Sequence, residues 1–136
     1  MSGNVLLVAR AINPSGEDYV VPVTKNPSQA DVRRLLEPLR GLKAYAGMEH
    51  GERLSAGHPE LNLRAEDGRY LLMLGEVHAD GEYDVRTLTN PNPKEGEDSI
   101  GGEFFGASHI VEDFDLVLRA FCEFAETGNV SHDLMD

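Results

Sequence analysis

The sequence is poor in cysteine, in long apolar runs and in basic residues, and each shortage excludes a class of protein. The one cysteine, Cys122, excludes an internal disulfide framework and a zinc site built from several cysteines. No run of eighteen apolar residues is present, and residues 5–9 are too few, without basic residues before them, for a signal peptide. These features predict a cytoplasmic protein with no membrane-spanning helix.

Acidic residues outnumber basic ones two to one. The chain has 12 Lys and Arg against 24 Asp and Glu, which gives a net charge of −12. The excess is uneven, because residues 1–48 have a balance of +2 and residues 49–136 a balance of −14. A protein with this much negative charge repels nucleic acid and anionic membranes. We therefore expect neither as a partner. A basic protein surface is the favoured partner, and the alternative is that the acids only keep the protein soluble.

The pattern of apolar residues predicts both strands and helices, and the length of 136 residues fits a single domain spanning residues 1–136. The two helices are expected to follow Asn26 and Asp113, and Gln29 would complete a capping box with Asn26. Gly41 and Gly128 would end them. Pro22 places its strand at a sheet edge. The predicted strands cover residues 4–12, 18–24, 43–49, 60–66, 69–78 and 82–88, with a further strand inside residues 100–111.

Two Asp-Gly pairs, at positions 67–68 and 80–81, are hairpin turn signals that predict an antiparallel meander over residues 60–88. In its last strand, Tyr83, Val85 and Thr87 are expected to face the core. Residues 90–99 are predicted to form a polar loop, and the tail after Gly128 to dock through its apolar residues. The fold class is therefore α+β: an antiparallel sheet of about five to six strands, with the meander in the middle and two helices packed on one face.

No catalytic constellation is recognisable in the sequence. Its five histidines are dispersed without metal-ligand spacing: His50, His58, His78, His109 and His132. Cys122 lies in the second amphipathic helix and is interpreted as a structural thiol. Ser108 and His109 are adjacent, so on a strand they would point to opposite faces. The sequence predicts a protein that is not an enzyme and that has no metal and no cofactor.

Several short motifs occur in a recognisable order. They are Leu61-x-Leu63, Gly68-Arg69-Tyr70-Leu71, the polar loop of residues 90–99, Gly101-Gly102-Glu103, and Phe124 to Gly128 followed by the tail of residues 131–135. This order resembles the largest family of immunity proteins from bacterial polymorphic toxin systems. The family commonly closes with a tryptophan, and Leu134-Met135 stands in its place here.

The resemblance implies that the chain binds a cognate secreted toxin, such as a nuclease or a deaminase, and neutralises it one-to-one. A toxin of that kind needs a basic groove, which an acidic inhibitor can occupy. Residues 76–115 contain eleven acids against Arg86 and Lys94, so the docking face is predicted there. The predicted partner-binding residues are Glu76, Asp80, Glu82, Asp84, Glu95, Glu97, Asp98 and Glu103.

Two other interpretations stay open. An adaptor, a secretion chaperone or a small-ligand-binding module would present an exposed apolar groove in place of an acidic face. An unrecognised enzyme would gather His78 or His109 with two acids in a deep pocket.

Overall fold

A computed structural model describes residues 5–50 and 59–136 of the chain. His58, one of the five histidines named above, lies outside these residues. The elements are β1 Val5–Ile12, β2 Asp18–Lys25, α1 Gln29–Leu36, β3 Lys43–His50, β4 Glu60–Glu66, β5 Arg69–Val77, β6 Tyr83–Thr87, β7 Glu97–Ile100, β8 Glu103–Gly106 and α2 Phe114–Thr127. Short 3-10 helices at Glu37–Leu39 and Ala107–His109 follow α1 and β8. The predicted α+β class is confirmed.

Six strands form one antiparallel sheet in the order β2-β1-β3-β4-β5-β6. The meander of β4, β5 and β6 is confirmed, and so is the edge position of β2, where Pro22 needs no ladder partner. Between β4 and β5, Asp67 and Gly68 both have left-handed backbone conformations, with φ of 51° and 74°. That is the two-residue turn that the Asp-Gly pair predicts.

Both helices pack on one face of this sheet, which we call the inner face. Alternate residues of the strands turn their side chains to it, such as Leu61, Leu63 and Ala65 of β4, all buried. The stripe of α2 that meets them includes Phe114, Phe121 and Phe124, also fully buried. The tail docks as predicted through Val130, Leu134 and Met135. Neither described helix is long and apolar enough to cross a membrane.

The start of α1 differs from the prediction. Ser28, not Asn26, is the N-cap: its hydroxyl accepts from the backbone N–H of Asp31, and the Asp31 carboxylate accepts from the N–H of Ser28. Asn26 instead adopts a left-handed conformation with φ of 49°, and its side chain accepts a 2.9 Å hydrogen bond from the N–H of Val5. Asn26, which the local sequence assigns to the N-cap of the helix, is therefore used in a long-range hydrogen bond to β1. The caps of α2, Asp113 and Gly128, are confirmed.

The orientation predicted for β6 is wrong. Its Arg86 pairs with the buried Leu74 and so lies on the inner side, which turns Tyr83, Val85 and Thr87 to the opposite, outer face. Arg86 donates to the carbonyl oxygens of Val130 and Met135, at 3.0 and 3.3 Å. Because the C-terminal tail supplies these acceptors, the orientation depends on residues distant in sequence.

The outer face of the sheet is covered in part by a second, two-stranded sheet of β7 and β8. β7 lies inside the predicted polar loop, whereas β8 falls within a predicted strand. From this side Leu71 of β5 is buried by Ile100 of β7 and by Ile110, which follows the second 3-10 helix. Phe105 and Met73 pack around them. β5 is therefore buried on both faces, which explains why its sequence is apolar on both faces.

Candidate functional site

The structure separates the eight predicted partner-binding residues into two groups. Glu76, Asp80, Glu82 and Asp84 lie at the β5–β6 turn, at the C-terminal end of β5. Asp98 and Glu103 lie on the β7–β8 sheet, where Asp98 contacts Arg69 at the N-terminal end of β5. Seven residues of extended strand separate Arg69 from Glu76, or about 23 Å. Glu95 and Glu97 are both exposed; Glu97 is the first residue of β7, and Glu95 lies in the loop before it.

The four acids of the first group lie in residues 76–85, which we call the acidic hairpin. Glu76 pairs with Asp84 across the two strands, and Val77 pairs with Tyr83. The turn is closed by the N–H of His78 donating to the Glu82 carbonyl at 2.8 Å. The segment contains four carboxylates and no Lys or Arg. It therefore presents concentrated negative charge on an ordered backbone.

Two exposed apolar side chains belong to the same hairpin, on the face opposite Glu76 and Asp84, which share the inner side with Leu74 and Arg86. Tyr83 is 59% exposed and Val85 is 45% exposed, both on the outer face. The Tyr83 ring lies over Gly75, where a Cβ would overlap its hydroxyl group. The glycine thus leaves room for the ring to lie on the strand, with much of it open to solvent. Both residues were predicted to face the core, so neither is among the predicted partner-binding residues.

The second group is engaged within the protein. The Asp98 carboxylate contacts Arg69 Nη1 at 2.6 Å, and the Glu103 carboxylate contacts Arg64 Nη1 at 3.1 Å. The hydrogen bond from Arg69 lowers the pKa of Asp98. These two acids therefore bind the small sheet to the large one. Glu97, on the other side of β7, and Phe104, which is 72% exposed, point away from it.

The histidines and the cysteine do not assemble a catalytic site in the part of the chain that is described. His78 contacts the Asp84 carboxylate at 3.4 Å, and His109 Nδ1 contacts the Thr87 hydroxyl at 3.0 Å. The cavity that His109 lines, about 220 Å³, contains one carboxylate, that of Asp136. Over residues 5–50 and 59–136, no three His, Cys, Asp or Glu side chains are placed to hold a metal ion.

Cys122 is buried, as expected for a structural thiol, and this burial raises its pKa. Its Sγ donates weakly to the Gln29 carbonyl, at 3.7 Å. A thiol with a raised pKa is less nucleophilic at neutral pH because less of it is thiolate.

Residues 9–134 match the model of DUF6911, a family of unknown function. The chain belongs to this family. No curated protein matches it. Among solved structures, the DUF6911 chain is similar to a hypothetical protein from Neisseria gonorrhoeae, with a TM-score of 0.79 and 18% sequence identity over 94% of this chain and 90% of that one. At this identity the likeness concerns the fold alone.

Proposed function

We propose that this protein is an immunity-type inhibitor that binds a basic protein toxin through the acidic hairpin and blocks its activity. The observation that carries the proposal is the combination in residues 76–85 of four carboxylates with the exposed Tyr83 and Val85. Such a protein acts without catalysis, metal or cofactor, in the cytoplasm of the cell that it protects.

The two kinds of side chain have different roles in binding. Carboxylates attract a basic partner over a distance and raise the association rate, an effect that salt weakens. Apolar and aromatic side chains that become fully buried supply most of the binding energy, and tyrosine is enriched among such anchors. The Tyr83 ring already lies over Gly75 in the free protein, so a partner would meet it in a preformed position.

The sequence supports the same assignment. The motifs that resemble the immunity family run from β4 to the C-terminal tail and include the turn glycines Gly68 and Gly101, which lie on either side of the candidate site in sequence. A net charge of −12 favours a basic protein and disfavours nucleic acid or an anionic membrane as partner.

The proposal is tested by affinity purification from the native host with three forms of the tagged chain. The first is the wild type. The second carries Glu76→Gln, Asp80→Asn, Glu82→Gln and Asp84→Asn, which remove the charge and keep the shape. The third is a matched control that loses four exposed acids outside residues 76–115, by Glu17→Gln, Asp67→Asn, Glu126→Gln and Asp133→Asn.

We expect the wild type and the control to recover one basic protein at one-to-one stoichiometry, and the hairpin variant to recover at least about tenfold less. Purified wild type should also inhibit that protein. Equal recovery by all three forms would contradict the role of the acidic hairpin, and a partner that stays active in excess wild type would contradict neutralisation.

A further inference from the structure

A groove crosses the outer face of the sheet at the end opposite the acidic hairpin. Its volume is about 420 Å³, within the range of small-molecule sites. The floor is the Tyr45 ring beside Ile12, and one wall is the tip of the β7–β8 hairpin at Ile100 and Gly101. Gly101 and Gly102 are both left-handed, with φ of 63° and 86°, which makes this tip a tight two-residue turn.

Three basic side chains line the groove. Arg10, Tyr45 and Arg64 are directly paired across β1, β3 and β4, so the two arginines flank the tyrosine. Adjacent strands are about 4.8 Å apart, which places the two arginine Cα atoms about 10 Å from each other. Lys43 lies two residues from Tyr45 on the same face of β3. The described lining residues include no carboxylate.

The basic side chains are held at the rim by acids outside the lining. Arg10 contacts Asp18 at 3.0 Å, Arg64 contacts Glu103 at 3.1 Å and Lys43 contacts Glu66 at 3.9 Å. The side chains of the two arginine pairs are between 43% and 63% exposed, and ion pairs this exposed contribute little, so an added carboxylate can share or replace them at low cost. A guanidinium also has five N–H donors, more than one carboxylate uses, so an arginine can bind a second anion.

We propose that this groove binds a small organic carboxylate with an aromatic or aliphatic body. The apolar body would lie on Tyr45, Ile12 and Ile100, and the carboxylate would accept hydrogen bonds from Arg10 and Arg64. Charge complementarity supports an anionic ligand, because three of the chain's twelve basic residues line one apolar groove of a protein with a net charge of −12. A groove of this kind is what the ligand-binding interpretation of the sequence predicts.

This proposal is independent of toxin binding. From Leu71, which pairs with Arg64, five residues of β5 lead to Glu76 of the acidic hairpin, or about 17 Å. A ligand in the groove and a partner on the hairpin would contact different residues, so either proposal can fail while the other stands.

The test uses the full chain and a matched pair of probes, 2-naphthoate and its neutral amide, 2-naphthamide. Binding is followed by calorimetry and by shifts of backbone amide resonances. We expect 2-naphthoate to move resonances of β1, β3, β4 and the β7–β8 tip, and to bind about tenfold more tightly than the amide.

The double variant Arg10→Gln/Arg64→Gln should remove that preference for the carboxylate. The control Arg33→Gln/Arg34→Gln, which changes two exposed arginines of α1, should keep it. The proposal is overturned if neither probe binds, if acid and amide bind equally, or if the shifts map elsewhere. It is also overturned if the same resonances move with protein concentration alone, because a second copy of the chain would then occupy the groove.

Discussion

At the scale of single residues, the contact between Tyr83 and Gly75 decides how the candidate anchor is presented. A glycine weakens a strand because it has no side chain to pack and because it loses more conformational entropy on folding than other residues. An aromatic ring from the neighbouring strand can cover the exposed glycine backbone. Here the ring comes from β6 and the glycine from β5. The Tyr83 ring thus covers backbone that Gly75 leaves bare while it still faces outward.

A substitution at Gly75 tests this contact. Gly75→Ala should destabilise the protein by about 1 kcal/mol or less, because the new methyl group displaces the exposed end of the Tyr83 side chain, which can move to another rotamer. In a Tyr83→Ala background the same change should cost much less, since the clash is gone. Urea unfolding of the two single variants and the double variant measures the coupling. An equal cost in both backgrounds would show that the ring does not lie on the glycine.

Residue identity indicates charge but not exposure. The sequence identifies Glu76, Asp80, Glu82 and Asp84 as acidic, and they do cluster at one turn. It places Tyr83 and Val85 in the core, because alternation shows that two sets of residues face apart but not which set faces the helices. The local signal for the contact between Tyr83 and Gly75 is a glycine in one strand with an aromatic residue in the next.

At the scale of elements, the β7–β8 hairpin is joined to the large sheet by polar contacts as well as by packing. Arg69 Nη1 contacts both the Asp98 carboxylate and the Ser99 carbonyl, at 2.6 and 2.5 Å. The hydrogen bond from Arg69 places the pKa of Asp98 below its ordinary value. A carboxyl whose folded pKa is lowered stabilises the fold above its unfolded pKa and loses that effect as pH falls through the folded pKa.

The pH dependence of this attachment is therefore predictable. At pH 6, Asp98→Asn should reduce the hydrogen-exchange protection of β7 and β8 amides by roughly threefold or more, while amides of β3 and β4 keep theirs. As pH falls below the ordinary Asp value of about 3.9 and through the lowered pKa of Asp98, the wild type should approach the variant, because the carboxyl becomes protonated. Glu97→Gln, on the opposite side of β7, is the matched control and should leave protection unchanged. A loss that persists undiminished at low pH would contradict the ion-pair account.

Elements specified by their own residues were predictable, and elements specified by distant residues were not. The alternation of β4, the double-sided apolar pattern of β5 and the caps of α2 all appear in the structure as predicted. The start of α1 was not, because Asn26 is engaged by Val5. β7 was not either, since a polar strand pairs only where β8 and Arg69 are present to receive it.

At the scale of the whole molecule, the sheet keeps two candidate binding surfaces at opposite ends. The acidic hairpin begins at Glu76, at the C-terminal end of β5. The groove lined by Arg10, Tyr45 and Arg64 lies near the N-terminal end of that strand. The sequence predicts an acidic half, but it does not predict this separation. The groove is assembled from β1, β3, β4 and the β7–β8 tip, so only the strand order brings its residues together.

Inhibition of the partner tests the central proposal most directly. The basic protein recovered with the wild-type chain is assayed for its activity while purified wild-type chain, or the variant with a neutralised hairpin, is titrated against it. The account predicts that activity disappears at one equivalent of wild type and that the variant needs at least about tenfold more. Full activity in the presence of excess wild type would contradict the proposed function.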